Sequence, residues 1–223
     1  PAPPGPPPAG PDPHLAPHPQ HPAPTGPRHH PHHPPTPATG DPHPTAKHAG
    51  HPATAEHTQK QFIRDHREVE SMDPVYKMYP PLRTPDDVDA LRAALVDGTI
   101  DAVGTDHAPH AAFEKDVTFE EAPRGIVGLE TAASIVRAAV ELDQISFFQR
   151  MAIAPAGILG EAAGPIVVGS SDLVVFDPEA EWTFDRPRSK SANSPWLNQR
   201  LRGTVTQVFT RSGLVSSAEE GDS

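Results

Sequence analysis

The chain has 223 residues, a formal net charge of −11 with neutral histidines, and no cysteine. This acidic balance argues against a nucleic-acid-binding surface, which needs clustered Lys and Arg, and the lack of cysteine excludes disulfide bonds and thiolate metal sites. No run of about 18 apolar residues occurs, so we expect no membrane span, and no secretory signal pattern opens the sequence, so we expect a cytoplasmic protein.

Residues 1–67 differ in composition from the rest of the chain. Twenty of the 31 prolines precede Ala53, and 12 of the 14 histidines lie at or before His66. A segment so poor in apolar residues cannot offset the entropy cost of ordering, and proline favours an extended arm. We therefore expect a disordered, low-complexity arm with loose metal affinity at most. An out-of-frame translation of GC-rich DNA is the alternative interpretation of the same composition.

The next segment predicts a strand, a helix and a second strand. Residues 75–78 are β-prone and stop at a double proline. Thr84 suits the N-cap of a helix, Pro85 its first turn, and Gly98 a left-handed C-cap. Residues 100–105 then form a short apolar strand, and this order with tight connections is typical of a parallel sheet.

The remaining sequence predicts two helices followed by β structure. The helices cover about 129–142 and 146–152, with another turn at 155–159. Beyond Gly164 the sequence favours strands at 172–177 and 204–209, and Gly213 suggests a hairpin turn.

The hexapeptide Thr105-Asp106-His107-Ala108-Pro109-His110 is the candidate site, because it directly follows a predicted strand. In α/β barrels, residues at the C-terminal ends of strands face the active site. Asp106 could bind a divalent metal and accept a proton from metal-bound water, and His110 could hold an anionic substrate. Taken alone, the hexapeptide is equally compatible with a loop in which Asp106 caps a turn and the histidines are solvated.

Two neighbouring phrases narrow the interpretation. The phrase K-x-x-PPLR begins at Lys77, and G-x-x-GLET begins at Gly125. With TDHAPH, these phrases stand in the order and spacing of the dihydroorotases, so residues 68–215 resemble that branch of the amidohydrolase superfamily. The resemblance implies an α/β fold with a partial (β/α)₈ TIM barrel, namely its last strand–helix units over residues 68–163. Residues 164–223 would form the C-terminal β segment of a composite small domain.

The resemblance also implies a reaction and a set of roles. The reaction is reversible, zinc-dependent hydrolysis of dihydroorotate to N-carbamoyl-L-aspartate in pyrimidine biosynthesis, with a binuclear metal site in the family. Asp106 would bind metal and act as general base, His110 would hold the substrate carboxylate, and the backbone at Arg124 and Gly125 would bind the ring. Tyr79 stands where the family has a substrate-contacting Asn, and His107 has no ligand role.

The family's other metal ligands are not recognisable, although His30 and His32 form a His-x-His. That pair sits in a proline run without a preceding strand, so we do not assign it. One carboxylate cannot hold a zinc ion that needs about four ligands, so we expect incomplete zinc binding and a partial copy that is inactive alone. Open strand edges also predict marginal stability or association.

Two alternative functions stay open at this point. One is a non-catalytic, dihydroorotase-like scaffold for an aspartate transcarbamoylase. The other is a related cyclic-amide hydrolase of the allantoinase or hydantoinase type.

Overall fold

A computed structural model describes residues 31–32, 54–161 and 165–216 as a mixed α/β structure with two three-stranded sheets. One sheet is parallel and the other antiparallel. Most of the predicted disordered arm, including His30, lies outside the described residues. No described helix is long and apolar enough to cross a membrane.

The parallel sheet consists of β1 (Pro31–His32), β2 (Thr54–Thr58) and β3 (Ala102–Gly104), in that order. Residues 54–67, which composition assigned to the disordered arm, lie in the folded body instead. Composition averaged over 67 residues hides the local pattern of β2, which buries alternate side chains and ends at a buried segment. The described strands are too few to close a barrel, so the structure shows only part of the predicted architecture.

A connection of 3₁₀ turns and one long helix joins β2 to β3. The turns are Gln59–Phe62, His66–Ser71 and Pro74–Tyr76. The predicted strand at 75–78 is wrong, because the Asp73 side chain accepts a hydrogen bond from the Val75 amide and closes a turn there. This capping suits a turn rather than a strand.

Helix α1 (Pro85–Asp97) confirms the predicted helix and both of its ends. Thr84 and Asp87 form a reciprocal capping box, and Gly98 has a φ of +89°. Three short helices follow, α2 (Ala112–Lys115), α3 (Ala132–Ala139) and α4 (Gln144–Phe148). A π-helical turn (Gln149–Ile153) then leads into α5 (Ala154–Ile158).

Helix α3 is shorter than the predicted helix at 129–142. The backbone turns extended at Val140, with φ −131° and ψ 126°, which ends the helix. Extended backbone cannot continue an α-helix.

The antiparallel sheet consists of β4 (Leu173–Thr183), β5 (Arg200–Thr210) and β6 (Gly213–Ser216). Both predicted strands are present and longer than predicted, and Thr210 pairs with Gly213 across the hairpin.

Two apolar clusters hold these elements together. The first packs α1 and α3 against β3, and the second packs the 78–82 segment against the 182–201 region. Their fully buried members include Phe62, Leu95, Ile100, Val136, Ile126 and Phe184. Ile126 and Val127 belong both to the G-x-x-GLET phrase and to the second cluster, so they anchor that phrase in the apolar core.

Candidate functional site

Asp106 lies two residues beyond Gly104, the last residue of β3, at the C-terminal end of a parallel strand. Its φ is +44°, in the left-handed region, where Asp is tolerated better than most residues. The Asp106 side chain is 41% exposed. Asp106 thus stands at a strand end with a carboxylate that solvent can reach, and its role in a site stays a prediction.

The three sequence phrases converge around the loop that follows β3. The Gly125 amide donates to the carbonyl oxygen of Lys77 at 2.9 Å, which joins the first phrase to the third. The Ala108 amide donates to the carbonyl oxygen of Ile126 at 2.9 Å, which joins the second phrase to the third. Because these are main-chain bonds across long sequence separations, they fix the relative positions of the three phrases.

His110 contacts the residue that precedes the third phrase. Its Nε2 lies 3.0 Å from the carbonyl oxygen of Arg124. That oxygen can only accept, so Nε2 carries the proton and donates. Its Nδ1 lies 3.7 Å from the carboxylate of Glu114. The ring is therefore oriented by one main-chain and one charged partner.

Arg124 and Tyr79 lie together at the surface of the site. The Arg124 guanidinium stands 5.3 Å from the centre of the Tyr79 ring, a cation–π geometry. Tyr79 is 66% exposed, so its ring is not part of the packed interior. The residue that replaces the family Asn therefore contacts another residue to which the resemblance gives a substrate role.

His107 has a structural environment. Its Nδ1 accepts a hydrogen bond from the Gly128 amide at 3.0 Å. The backbone at His107 also forms a parallel bridge with Ile126. These contacts make His107 part of the loop structure, and its lack of a ligand role stays a prediction.

Sequence reasoning missed Lys60. Its Nζ lies 2.5 Å from Oδ2 of Asp106, and its side chain is completely buried. Lys60 stands in the segment that composition assigned to the disordered arm. Placing Thr54–Thr58 as a strand before it would have put the lysine at a strand end.

Sequence reasoning also missed Asn193. This residue lies far along the chain and forms hydrogen bonds with the loop that follows β3. Its Nδ2 donates to the carbonyl oxygens of Ala108 at 3.1 Å and Gly125 at 3.2 Å. Its Oδ1 accepts from the His110 amide at 3.2 Å and from the Ser191 hydroxyl. The phrase Asn193-Ser194-Pro195-Trp196 was the available signal.

The amine of Lys115, in helix α2, is partly buried and has a lowered pKa. Burial, and next the charge of Lys77, lower the pKa of Lys115 from 10.5 to about 8. Its Nζ donates to the carbonyl oxygens of Pro123 at 2.7 Å and Pro74 at 3.1 Å. The amine therefore links helix α2 to the segment that precedes the third phrase.

The described residues do not fit the zinc centre that the resemblance implies. No group of three His, Cys, Asp or Glu side chains among them is placed to hold a metal ion. The Asp106 carboxylate faces the Lys60 ammonium, and one nitrogen of each nearby imidazole is bonded to the main chain.

The chain is similar in sequence to bacterial dihydroorotases, and no family model matches it. It is 40% identical over 185 residues to the dihydroorotase of Anaeromyxobacter dehalogenans strain 2CP-1, covering 79% of this chain and 43% of that protein. It is 45% identical over 166 residues to the dihydroorotase of Geobacter metallireducens, covering 72% of this chain and 39% of that protein. The chain thus spans about two fifths of the length of these curated relatives.

The chain matches part of the fold of solved hydantoinases. The L-hydantoinase of Arthrobacter aurescens superposes with a TM-score of 0.69 at 24% identity, over 77% of this chain and 41% of that one. A D-hydantoinase from Thermus sp. gives a TM-score of 0.67 at 24% identity, with the same two coverages. At this identity the likeness concerns the fold alone.

Proposed function

We propose that this chain, which is related to the dihydroorotases over part of their length, carries the C-terminal part of a dihydroorotase-type site and does not turn over dihydroorotate by itself. The observation that supports this proposal is the convergence of the three phrases on the loop after β3. Each phrase is short, but their joint placement at one strand end is what a shared substrate site requires.

His110 and Arg124 are the proposed contacts for an anionic cyclic amide. The imidazole Nε2–H of His110 favours a carboxylate partner, and the backbone at Arg124 is the proposed contact for the ring. In the structure, the His110 ring donates to the Arg124 carbonyl oxygen instead, so a substrate carboxylate would have to compete with that bond.

The backbone of Gly125 and the ring of Tyr79 are the other proposed contacts. The Gly125 amide and carbonyl are already bonded to Lys77 and Asn193. A ring-binding role for them therefore requires exchange of these bonds. Tyr79 presents an exposed aromatic face where an amide side chain would offer a donor and an acceptor, which favours stacking over hydrogen bonding.

Asp106 is the proposed proton acceptor by resemblance, but its carboxylate is paired with Lys60. A general base has to reach the proton it abstracts and hold a pKa suited to the task. We derive no hydrolytic step from the described residues, since their donor set does not form a metal centre.

The proposal is tested by measuring binding and turnover separately on the full purified chain. We expect dihydroorotate to bind weakly, with a Kd on the order of 1 mM or higher, and to give no hydrolysis at alkaline pH with added zinc. His110→Ala should abolish binding observed by saturation-transfer NMR. His66→Ala, which changes an exposed histidine outside the three phrases, should leave binding intact.

Two results would contradict the proposal. Equal binding by the His110→Ala and unchanged chains would refute the substrate assignment. Stoichiometric zinc with turnover that Asp106→Asn abolishes would refute the lack of activity.

A second candidate function, a non-catalytic homologue, is favoured by the Lys60–Asp106 ion pair. A carboxylate held by a buried lysine suits a structural role better than proton transfer. In this form the fold would serve as a scaffold for an aspartate transcarbamoylase. Sedimentation velocity tests this scaffold function, with that enzyme and the purified chain mixed at matched concentrations without dihydroorotate. One shared boundary would support the scaffold function, and separate boundaries would refute it.

A further inference from the structure

Lys60 and Asp106 lie at equivalent places beyond two adjacent parallel strands. Thr58, at the end of β2, pairs with Gly104, at the end of β3. Each charged residue follows its strand end by two positions. Since parallel strands finish at the same edge of a sheet, the two side chains are brought together there, and their charged atoms meet at 2.5 Å.

The two partners differ sharply in burial. The Lys60 side chain is 0% exposed, whereas the Asp106 side chain is 41% exposed. An ammonium group withdrawn from water is strongly disfavoured unless an anion neutralises it. The carboxylate of Asp106 therefore stabilises a charge that folding itself has buried.

The segment around Lys60 is held rigidly. The Phe62 side chain is fully buried in the first apolar cluster, and the Phe62 carbonyl oxygen accepts a hydrogen bond from Nε of Arg92 at 2.7 Å. Gln59 is fully buried beside Gly128 of the third phrase. Lys60 cannot swing out to solvent without disrupting these contacts, so its charge is a fixed part of the site.

The position of the ammonium conflicts with cation binding at Asp106. A divalent ion on this carboxylate would lie within a few ångströms of the Lys60 charge, and like charges at that separation repel each other. The candidate co-ligands in the same hexapeptide, His107 and His110, each have one ring nitrogen hydrogen-bonded to the main chain.

We propose that Lys60 is the permanent counter-ion of Asp106 and keeps divalent metal off this carboxylate. The ammonium of Lys60 thus provides the positive charge next to the Asp106 carboxylate at the end of β3. This inference concerns the site described above, but it depends on the Lys60–Asp106 contact and not on dihydroorotate being the ligand.

A double-mutant cycle on unfolding tests the pairing directly. Asp106→Asn leaves a buried, unpaired ammonium, so we expect the folding equilibrium constant to fall at least about tenfold. Lys60→Met removes that ammonium, so adding Asp106→Asn to Lys60→Met should have little further effect. Glu68→Gln, which breaks the partly exposed Arg64–Glu68 pair, is the matched control and should change the constant by less than about fivefold.

The cycle gives a decision even when one variant is hard to measure. If Asp106→Asn alone does not fold, the comparison of Lys60→Met with the double variant still isolates the effect of Asp106 without the lysine. Additive effects, or an Asp106→Asn chain as stable as the original, would overturn the proposal.

Zinc provides a second, independent measurement. We expect added Zn²⁺ to shift the thermal unfolding midpoints of the unchanged and Asp106→Asn chains equally, because any uptake then comes from histidines elsewhere. A zinc-dependent shift present in the unchanged chain and lost in Asp106→Asn would overturn the proposal. Neither experiment measures binding of dihydroorotate. A failure of the proposed dihydroorotase-type function would therefore be distinguished from a failure of the counter-ion proposal.

Discussion

Oδ1 of Asn193 accepts a hydrogen bond from the main-chain amide of His110 at 3.2 Å, across 83 residues of sequence. The same side chain donates to the carbonyl oxygens of Ala108 and Gly125. One amide group therefore fixes both the loop after β3 and the start of the third phrase, and it does so from the segment just before β5.

Asn193→Ala should destabilise the chain by about 1–3 kcal/mol, because it leaves main-chain groups of the loop without a partner. Urea unfolding measures this loss. Hydrogen exchange at the His110 amide, which would keep only its bond to Oγ of Ser191 at 3.1 Å, should also accelerate, and a change remote from the loop would not cause this. Gln199→Ala, at an exposed position nearby in sequence, is the control and should stay within about 0.5 kcal/mol. Unchanged exchange at His110 in the Asn193→Ala chain would contradict this role.

Gly125→Ala should be more disruptive than an ordinary glycine substitution. Gly125 has a φ of +123°, and an added Cβ would lie 2.4 Å from Cβ of Ala108. Gly160→Ala is the control, because Gly160 has a φ of +80° and open space around it. That substitution therefore introduces backbone strain without a clash. We expect Gly125→Ala to cost more than about 1 kcal/mol and to exceed the cost of Gly160→Ala.

The clash at Gly125 has its own test. Adding Ala108→Gly to Gly125→Ala removes the colliding Cβ, so part of the lost stability should return in thermal unfolding. The stability that does not return reflects the positive φ at position 125, because Ala108→Gly does not relieve that backbone strain. Strictly additive losses from the two substitutions would show that the clash is absent.

Local chemistry made some features predictable from the sequence. Thr84 and Gly98 mark the ends of α1 because capping depends on neighbouring residues alone. The position of Asp106 follows from the short apolar run before it. Both inferences need only a few adjacent residues.

Long-range contacts made other features unpredictable. Lys60 contacts Asp106 across 46 residues of sequence. The proline- and histidine-rich composition before Lys60 predicts disorder, so the sequence gives no sign that this segment folds. The short strand before Lys60 becomes stable only by pairing with β3. Tertiary pairing of this kind overrides the average composition of a segment.

Lys115 should make stability depend on pH above neutrality. Its pKa in the folded chain is about 8, below the ordinary value of 10.5, chiefly because of burial. Between these two pH values the unfolded chain binds more protons than the folded chain, so stability rises with pH across that window. The cost of burying the charged amine is fully present below pH 8.

The Lys115 contribution is isolated by comparing Lys115→Gln with the unchanged chain. The free energy of unfolding, measured in urea at pH 8 and pH 10, should rise more in the unchanged chain than in the variant. Lys190→Gln, at an exposed lysine, should retain the full rise. Parallel pH profiles for the unchanged and Lys115→Gln chains would refute the assignment.

The antiparallel sheet presents an apolar row that should drive self-association. Val174 pairs with Val208, and Val208 pairs with Val215, so the three side chains lie on one face. Val174 and Val215 are each 50% exposed. Contiguous exposed apolar surface of this kind favours contact with another molecule. Sedimentation velocity should therefore show association that increases with protein concentration.

Charge placed on this row should oppose that association. We expect Val174→Lys combined with Val215→Lys to give a single monomeric boundary at concentrations where the unchanged chain associates, because burying either ammonium in a contact is costly. Val96→Lys changes a valine that is 51% exposed on helix α1, and it should leave association as it was. Equal effects of the sheet and helix substitutions would point to net charge, rather than this face, as the determinant.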